Sequence, residues 1–238
     1  MGLASLSLIA FASIAWCLWV RRLTWRSRWE SAATLNVALQ GVALLLMSTA
    51  ASTTIGAMVH RVSGAWNVED FTAHSCYLLA AIAVASSVLS RLKDDASVQR
   101  SFKRWVEWPC TICIPVLLAL FMLGNGHRIY RVNFFDLPTN GFLCAYWIVL
   151  CGMLIYLLLY SWPGLLSLCG DPASRPVAVV YLVASSFGIA ACAAASLEVV
   201  DPQGHGDLVW ALACVCVIGF ALGSTYSWHR KVVWFTTT

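Results

Sequence analysis

Charged side chains are scarce in this sequence. Only 11% of the 238 residues are charged, whereas a soluble domain usually carries about 25%. Hydrophobic residues make up 60% of the chain, so there is too little polar surface to cover a water-soluble fold. The composition therefore excludes an ordinary soluble domain and indicates that lipid is the solvent.

Ionisable residues are nearly missing from the apolar runs themselves. The lysines, Lys93, Lys103 and Lys231, lie in predicted loops or at helix ends, which excludes a retinal Schiff base because that base needs a lysine inside the bundle. No Asp or Glu lies in the middle of a run, which lowers the weight of a proton-coupled transporter. No HExxH motif is present, nor a basic patch interleaved with aromatic residues, so neither a zinc hydrolase nor a nucleic-acid partner is indicated.

Seven long apolar runs make up most of the chain. A membrane helix needs roughly 20 apolar residues to cross about 30 Å of hydrocarbon. The runs predict an all-α, polytopic transmembrane bundle of about seven helices in one domain, with spans at about residues 2–20, 32–59, 72–90, 108–123, 141–160, 177–199 and 208–228. The second run is longer than a crossing needs, which predicts a helix that tilts or protrudes.

Basic residues predict the orientation of these spans. With the N-terminus outside, twelve Lys and Arg residues fall on cytoplasmic segments and only Arg61, Arg128 and Arg131 fall on external ones. Lys and Arg favour the cytoplasmic side, so the N-terminus is predicted outside and the C-terminus inside, in the cytoplasmic membrane. No basic residue precedes the first run, which favours a retained anchor over a cleaved signal peptide. The basic residues, Arg21 among them, are expected to touch the lipid head groups of the bilayer.

Asn36 and Gln40 are the clearest polar candidates inside an apolar run. They are four residues apart, so a helix places them on one face. Hydrogen bonding between helices is the simpler interpretation of such a pair. The alternative is a groove that binds a ligand.

Ten cysteines raise redox and metal hypotheses. Most lie inside the runs, where cysteine behaves as a small hydrophobe. Cys110 and Cys113 form a CxxC at the start of the fourth span, where a helix N-terminus would favour the thiolate, although the predicted topology places them on the reducing side. One CxxC with Cys169 does not supply the four ligands of a structural zinc site, so no metal site is predicted. Cys76 and Cys144 lie near external helix ends, and a disulfide between them is left open.

Titratable residues concentrate on the predicted external segments. Histidine beside carboxylates can bind a metal or sense protons, whereas a solvated loop surface is the simpler interpretation. The residues in question are His60, His74, His127 and His205, with Glu69, Asp70, Asp136, Glu198, Asp201 and Asp207.

The segment before the third span resembles a known group of proteins. The sequence from Arg61 through Gly64 and Asn67 to His74 is similar to a stretch of uncharacterised multi-pass membrane proteins of actinobacteria and actinobacterial phages. The similarity covers about the first half of the chain, and the bacterial members usually continue into a cytoplasmic region after the seventh span. The resemblance implies a topology and an origin rather than an activity. Gly64 and Asn67 suit a turn, which His74 is expected to anchor, unless Arg61, Asn67 and His74 form a binding site.

These observations favour a non-enzymatic sensor, regulatory or partner-binding component, whose partner is another membrane or cytoplasmic protein. A small-molecule transporter or permease-like bundle is the second hypothesis. A membrane thiol redox enzyme using Cys110 and Cys113 is the third. A buried charged pathway would favour the transporter, and a quinone pocket beside the CxxC would favour the enzyme. No catalytic residue is assigned, and the cofactor is left unknown.

Overall fold

The helices follow the apolar runs. The computed structural model describes residues 2–27, 30–91, 95–138, 140–200, 204 and 206–237, and this part of the chain is almost entirely helical and contains no strand. The helices are α1 (Leu3–Val20), α2a (Ser31–Leu46), α2b (Thr49–Ser63), α3 (Val68–Leu89), α4 (Asp95–Phe102, Lys103–Glu107 and Trp108–Leu123 in succession), α5 (Gly141–Leu168), α6 (Arg175–Val200) and α7 (Gly206–Thr237). Six of them are long and apolar enough to cross a membrane, and α2a with α2b would make a seventh crossing. The predicted all-α class is confirmed at this level.

The second apolar run does not form one continuous helix over residues 32–59. The axes of α2a and α2b differ by 62°. Ser48 lies at the break, and its side chain accepts a hydrogen bond from the backbone N–H of Ala51, so it caps the start of α2b. Serine favours such starts because its hydroxyl satisfies a backbone donor that the helix itself leaves free. The next turn, Ser52–Gly56, is π-helical.

Two contacts between connecting segments identify the two ends of the bundle. At one end of the bundle, the side chain of Arg21, just after α1, reaches the backbone of Ser224 in α7. At the other end, the turn before α3 meets the loop after α4, where the N–H of Trp66 donates to the carbonyl of His127 at 2.8 Å. We call these the Arg21 end and the Trp66 end.

Basic residues are divided unequally between the two ends. The Trp66 end carries Arg61, Arg128 and Arg131, all exposed. The Arg21 end carries most of the others, namely Arg21, Arg22, Arg91, Arg100, Lys103, Arg104, Arg175, Arg230 and Lys231. The unequal distribution of Lys and Arg along the sequence therefore corresponds to an unequal distribution between the two ends of the folded bundle.

Arg21 itself is wholly buried, so the expectation that it touches lipid head groups is wrong. Its guanidinium donates to Thr34 Oγ1 at 2.9 Å, to the carbonyl of Ser224 at 2.8 Å and to Glu30 Oε2 at 2.8 Å. Lys231 also donates to Glu30. We call these five residues the Arg21 cluster. Burial alone raises the pKa of Glu30, but Lys231 and then Arg21 outweigh it and leave that pKa below its ordinary value.

The helices pack closely where small residues face each other. The α6 and α7 pair shares the largest interface, and α7 also packs against α1, so the first and last helices are neighbours. A Cβ added at Gly219 in α7 would lie 2.8 Å from the Cβ of Ala184 in α6. Close backbone approach of this kind is a main source of helix association in lipid.

Candidate functional site

Asn67 fastens the turn between α2b and α3. It is buried, with a φ of 56°, a left-handed conformation that Asn adopts more readily than most residues. Its Nδ2 donates to the carbonyls of Gly126 at 2.7 Å and Ile129 at 2.8 Å. Gly64 ends α2b with a φ of 72°, as a turn requires, whereas the side chain of Arg61 is exposed. Asn67 therefore has a structural role at the Trp66 end.

His74 does not anchor that turn. It is 3% exposed, and its Nδ1 lies 2.8 Å from the hydroxyl of Tyr146 in α5. Its ring is enclosed by Phe134 and Trp147, at centroid distances of 5.5 and 5.0 Å. The expected link between His74 and Asn67 is thus replaced by a hydrogen bond that joins α3 to α5.

A cavity lies between α2a, α3, α5, α6 and α7, and His74 forms part of its wall. The space open to the centres of water-sized spheres is about 120 Å³. Most of the wall is aliphatic or aromatic, with Val84, Trp147, Leu154, Trp210, Val217 and Phe220 as examples. The lining of this space is therefore of the apolar character that holds an apolar molecule.

Four polar side chains interrupt the apolar wall, and each has a buried atom without a hydrogen-bond partner. The atoms are Asn36 Nδ2 and Gln40 Oε1 on α2a, and His74 Nε2 and the Tyr77 hydroxyl on α3. Roughly 90% or more of buried polar groups in proteins have a partner. Four exceptions around one cavity therefore indicate that something polar, a ligand or ordered water, completes them.

The free atoms determine which hydrogen bonds a bound polar group must make. Gln40 Nε2 donates to Asn36 Oδ1 at 2.7 Å within α2a, so the pair leaves one amide donor and one amide acceptor free. If the oxygen and nitrogen of both amides are exchanged, the pair still has one free donor and one free acceptor. No Asp, Glu, Lys or Arg is among the described residues of the wall. The arrangement therefore suits a neutral group that both donates and accepts a hydrogen bond.

The structure brings together three of the five residues predicted for binding. Asn36, Gln40 and His74 line the cavity, whereas Asn67 and Arg61 do not. The bond between Asn36 and Gln40 lies within one helix rather than between two. The sequence analysis missed Tyr77, although its position three residues after His74 places both on one face of α3.

Cys110 and Cys113 do not lie at a helix terminus. α4 already begins at Asp95, so no free N-terminal N–H groups favour a thiolate there. Both are free thiols, 3% and 4% exposed, packed in the core. Cys76 and Cys144 are also free. No group of three or more His, Cys, Asp or Glu residues in the described part of the chain could hold a metal ion.

Glu69 and Asp70 are buried rather than solvated. α3 begins at Val68 and places both carboxylates in its first turn, 2% and 3% exposed. Asp136 and Asp207 are exposed, in agreement with a solvated surface. Asp201 and His205 lie outside the described residues.

These features define a helical bundle with a mostly apolar central cavity and a small polar patch on two adjacent helices. No family model, no curated protein and no solved structure matches the chain. Its function is therefore argued from the site itself.

Proposed function

We propose that this chain is a multi-pass protein of the cytoplasmic membrane that binds a neutral amphipathic small molecule in its central cavity. The observation that supports this is the set of four unpartnered polar atoms around one apolar cavity. Ligand pockets are typically concave and mostly apolar, with a few placed polar groups. The role that fits is a non-enzymatic sensor or regulatory component. Its origin in an actinobacterium or phage stays a prediction.

Surface chemistry supports the membrane location and the orientation. Six helices are apolar enough to cross a bilayer. Large aromatic side chains are exposed near the Arg21 end, namely Trp16, Trp19, Trp25, Trp105 and Trp108, and tryptophan prefers the membrane interface. Because most basic residues share that end, we place it in the cytoplasm, with the N-terminus outside and the C-terminus inside.

The wall indicates the chemistry of the ligand. An alkyl or isoprenoid body suits the side chains of Leu154, Val217 and Phe220. A hydroxyl, a primary amide or a protonated carboxyl suits the free donor and acceptor of Asn36 and Gln40. A quinone carbonyl only accepts hydrogen bonds and would leave the free amide acceptor without a partner. A charged head group would find no counter-charge in the described wall.

A medium-chain n-alkanol is the probe that tests this site. We expect it to raise the melting temperature of the purified protein in detergent to a plateau, because it binds only the folded state. The n-alkane and the alkyltrimethylammonium of the same length should raise it far less. The Asn36→Leu/Gln40→Met double variant should lose the saturable shift.

Two comparisons make the alkanol experiment decisive. Ser185→Ala is the matched control, since Ser185 is buried and its hydroxyl bonds to the Tyr181 carbonyl away from the cavity wall. Without probe, the Asn36→Leu/Gln40→Met variant should be at least as stable as wild type, because it removes two buried atoms that lack partners. Equal shifts for all probes, or a large stability loss in the double variant, would overturn the proposal.

The break in α2 favours transport as a second candidate function. Met47, at the break, also lines the cavity, and discontinuous helices beside a central site are common in transporters. Alternating access would make the cavity thiol of Cys216 reactive to an impermeant maleimide from each side of sealed vesicles. A sensor should be labelled from one side at most. The wall does not include Cys110 or Cys113, so the cavity does not support the redox hypothesis.

A further inference from the structure

Two adjacent carboxyl groups are buried at the Trp66 end without a cationic partner in the described structure. Both oxygens of Glu69 and the Oδ2 atom of Asp70 lack a hydrogen-bond partner. Within the described residues, ion pairs within 4.0 Å involve Glu30 and neither of these carboxyls. This contrasts with Glu30, which is equally buried but contacts two cations.

An unpaired carboxylate is costly to bury. Transfer of an isolated ionised group into a low-dielectric interior costs many kcal/mol, so such a group takes up a proton instead. A second carboxylate on the next residue adds like-charge repulsion, which disfavours double ionisation further. Burial and proximity therefore both favour a bound proton.

The α2b helix covers Glu69. The carboxyl lies against Gly56, where an added Cβ would clash with both carboxyl oxygens. Ser52, one turn earlier in the π-helical segment, is 2% exposed, and its hydroxyl lies near the Glu69 carboxyl without forming a well-oriented hydrogen bond to it. A neutral hydroxyl beside Glu69 supplies no charge, but it can hydrogen-bond to a protonated carboxyl. The broken helix thus provides a polar, uncharged cover.

Asp70 lies toward the bundle interior. It is close enough to Tyr146 in α5 to interact with it electrostatically. The Tyr146 hydroxyl lies 2.8 Å from His74 Nδ1, and His74 Nε2 is one of the free atoms of the cavity wall. Asp70 therefore lies near a hydrogen-bonded pair, Tyr146 and His74, that reaches the cavity wall.

Other titratable groups near this end do not neutralise the pair. On α2b they are His60, which stacks on Trp66, and the exposed Arg61. On the loop after α4 they are His127 and Arg128, which contact each other. None of them lies within ion-pairing distance of either carboxyl in the described structure.

We propose that Glu69 and Asp70 form a proton-binding site that holds a proton at about neutral pH and is linked to the cavity through Tyr146 and His74. The proton comes from a hydronium ion of the solvent: one of its O–H bonds breaks, an O–H bond forms on a carboxylate oxygen, a water molecule is released, and the charge of the pair rises by one. The proton site does not depend on the cavity ligand, whereas the link to the cavity rests on the proposed function.

Infrared spectroscopy tests the bound proton directly. At about pH 7, we expect the wild-type protein to show the carbonyl band of a protonated carboxylic acid, shifted in D₂O. Glu69→Gln and Asp70→Asn should each reduce the band, and the double variant should abolish it. Glu107→Gln, an exposed carboxylate on α4, should leave it unchanged. Absence of the band in wild type, or its survival in the double variant, overturns the proposal.

Stability gives a second readout that needs no double variant. Gln and Asn mimic protonated carboxyls, so Glu69→Gln and Asp70→Asn should fold and melt close to wild type at about pH 7. Glu30→Gln is the opposite control, because Glu30 is ionised and paired, and it should melt lower. The measurements are repeated at the same pH with Na⁺ in place of choline as the buffer cation. If Na⁺ removes the carboxylic acid band and raises the melting temperature, the site binds an alkali cation and the proton assignment is wrong.

The link to the cavity is tested with the alkanol probe. Saturating alkanol should shift the carboxylic acid band in wild type but not in Tyr146→Phe, which lacks the connecting hydroxyl. If the alkanol raises the melting temperature yet leaves the wild-type band unchanged, the link is wrong and the cavity proposal stands. If it does neither, the cavity proposal fails while the band still reports the proton.

Discussion

Arg21 donates a hydrogen bond to the backbone carbonyl of Ser224 at 2.8 Å, across 203 residues of sequence. The contact joins the end of α1 to α7. The same guanidinium holds Glu30 before α2a, so one side chain connects three elements at the Arg21 end.

Removal of Arg21 should destabilise the bundle strongly. Arg21→Met leaves Glu30 buried with only Lys231 as a counter-charge, and loss of one partner of a buried ion pair typically costs about 3–5 kcal/mol. The free energy of unfolding in mixed micelles measures this. Arg22→Met is the matched control, because Arg22 is exposed, and it should change stability by no more than about 0.5 kcal/mol. Equal losses of stability in the two variants would contradict the role assigned to Arg21.

Acid should weaken the same cluster. The pKa of Glu30 lies below its ordinary value because, against the effect of burial, Lys231 and Arg21 favour the carboxylate. Its stabilising contribution is therefore complete above the ordinary carboxyl range and is lost as the pH falls through the folded-state pKa. Melting temperatures between about pH 7 and pH 3 should show this loss in wild type. Glu30→Gln should melt lower than wild type at neutral pH, and its melting temperature should fall less as the pH is lowered. Parallel curves of melting temperature against pH for the two proteins would contradict the prediction.

Gly56 should not tolerate a side chain. Gly56→Ala introduces a methyl group that clashes with the Glu69 carboxyl, and because this side chain is buried and has little room to move, the substitution should lower the melting temperature. Gly152→Ala is the control, since nothing lies within 4 Å of a Cβ there, and Ala in a helix should be neutral or gain about 0.5–1 kcal/mol. A neutral Gly56→Ala variant would show that α2b does not cover Glu69.

Two substitutions of Asn67 should separate its side chain from its backbone. Asn67→Gly keeps the left-handed conformation but loses the bonds to Gly126 and Ile129, which should cost about 1–3 kcal/mol. Asn67→Ala loses the same bonds and adds backbone strain of about 1–3 kcal/mol. Chemical denaturation should therefore rank wild type above Gly and Gly above Ala. Equal stability of the two variants would show that the left-handed backbone at position 67 causes no strain for Ala.

Reporter fusions should establish the orientation. Alkaline phosphatase joined after Gly64 or Leu137, both at the Trp66 end, should be active because the enzyme folds outside the cytoplasm. Fusions after Asp171 or Thr238 should be inactive. The opposite pattern would reverse the proposed orientation and place the Arg21 cluster outside.

The helical class and most spans could be predicted because they depend on local composition. Apolar runs of sufficient length form helices whatever their neighbours are. The break in α2 was harder to predict, since Ser48 begins a new helix where several Ser, Thr and Ala residues could also continue the old one. Arg21 was placed among lipid head groups because charge bias treats all arginines alike, whereas its burial depends on Ser224, 203 residues away.

The candidate site could be predicted only within single helices. The spacing of Asn36 and Gln40 placed them on one face, as the structure shows. The partner of His74 could not be found in this way, because Tyr146 lies 72 residues further along the chain. Glu69 and Asp70 follow a turn signal and so resemble a solvated loop. Glu69 is covered by α2b, and Asp70 lies toward Tyr146 in α5, so their burial depends on contacts outside their own helix.

The break between α2a and α2b affects how the second apolar run enters a membrane. α2a has 16 residues and is about 24 Å long, and α2b is slightly shorter, whereas the hydrocarbon layer is about 30 Å thick. Neither piece can cross alone, and the backbone groups freed between them need protein around them. In a bilayer we therefore expect this run to insert cooperatively with α3, against which α2a packs, so that the two runs form a single unit of biogenesis.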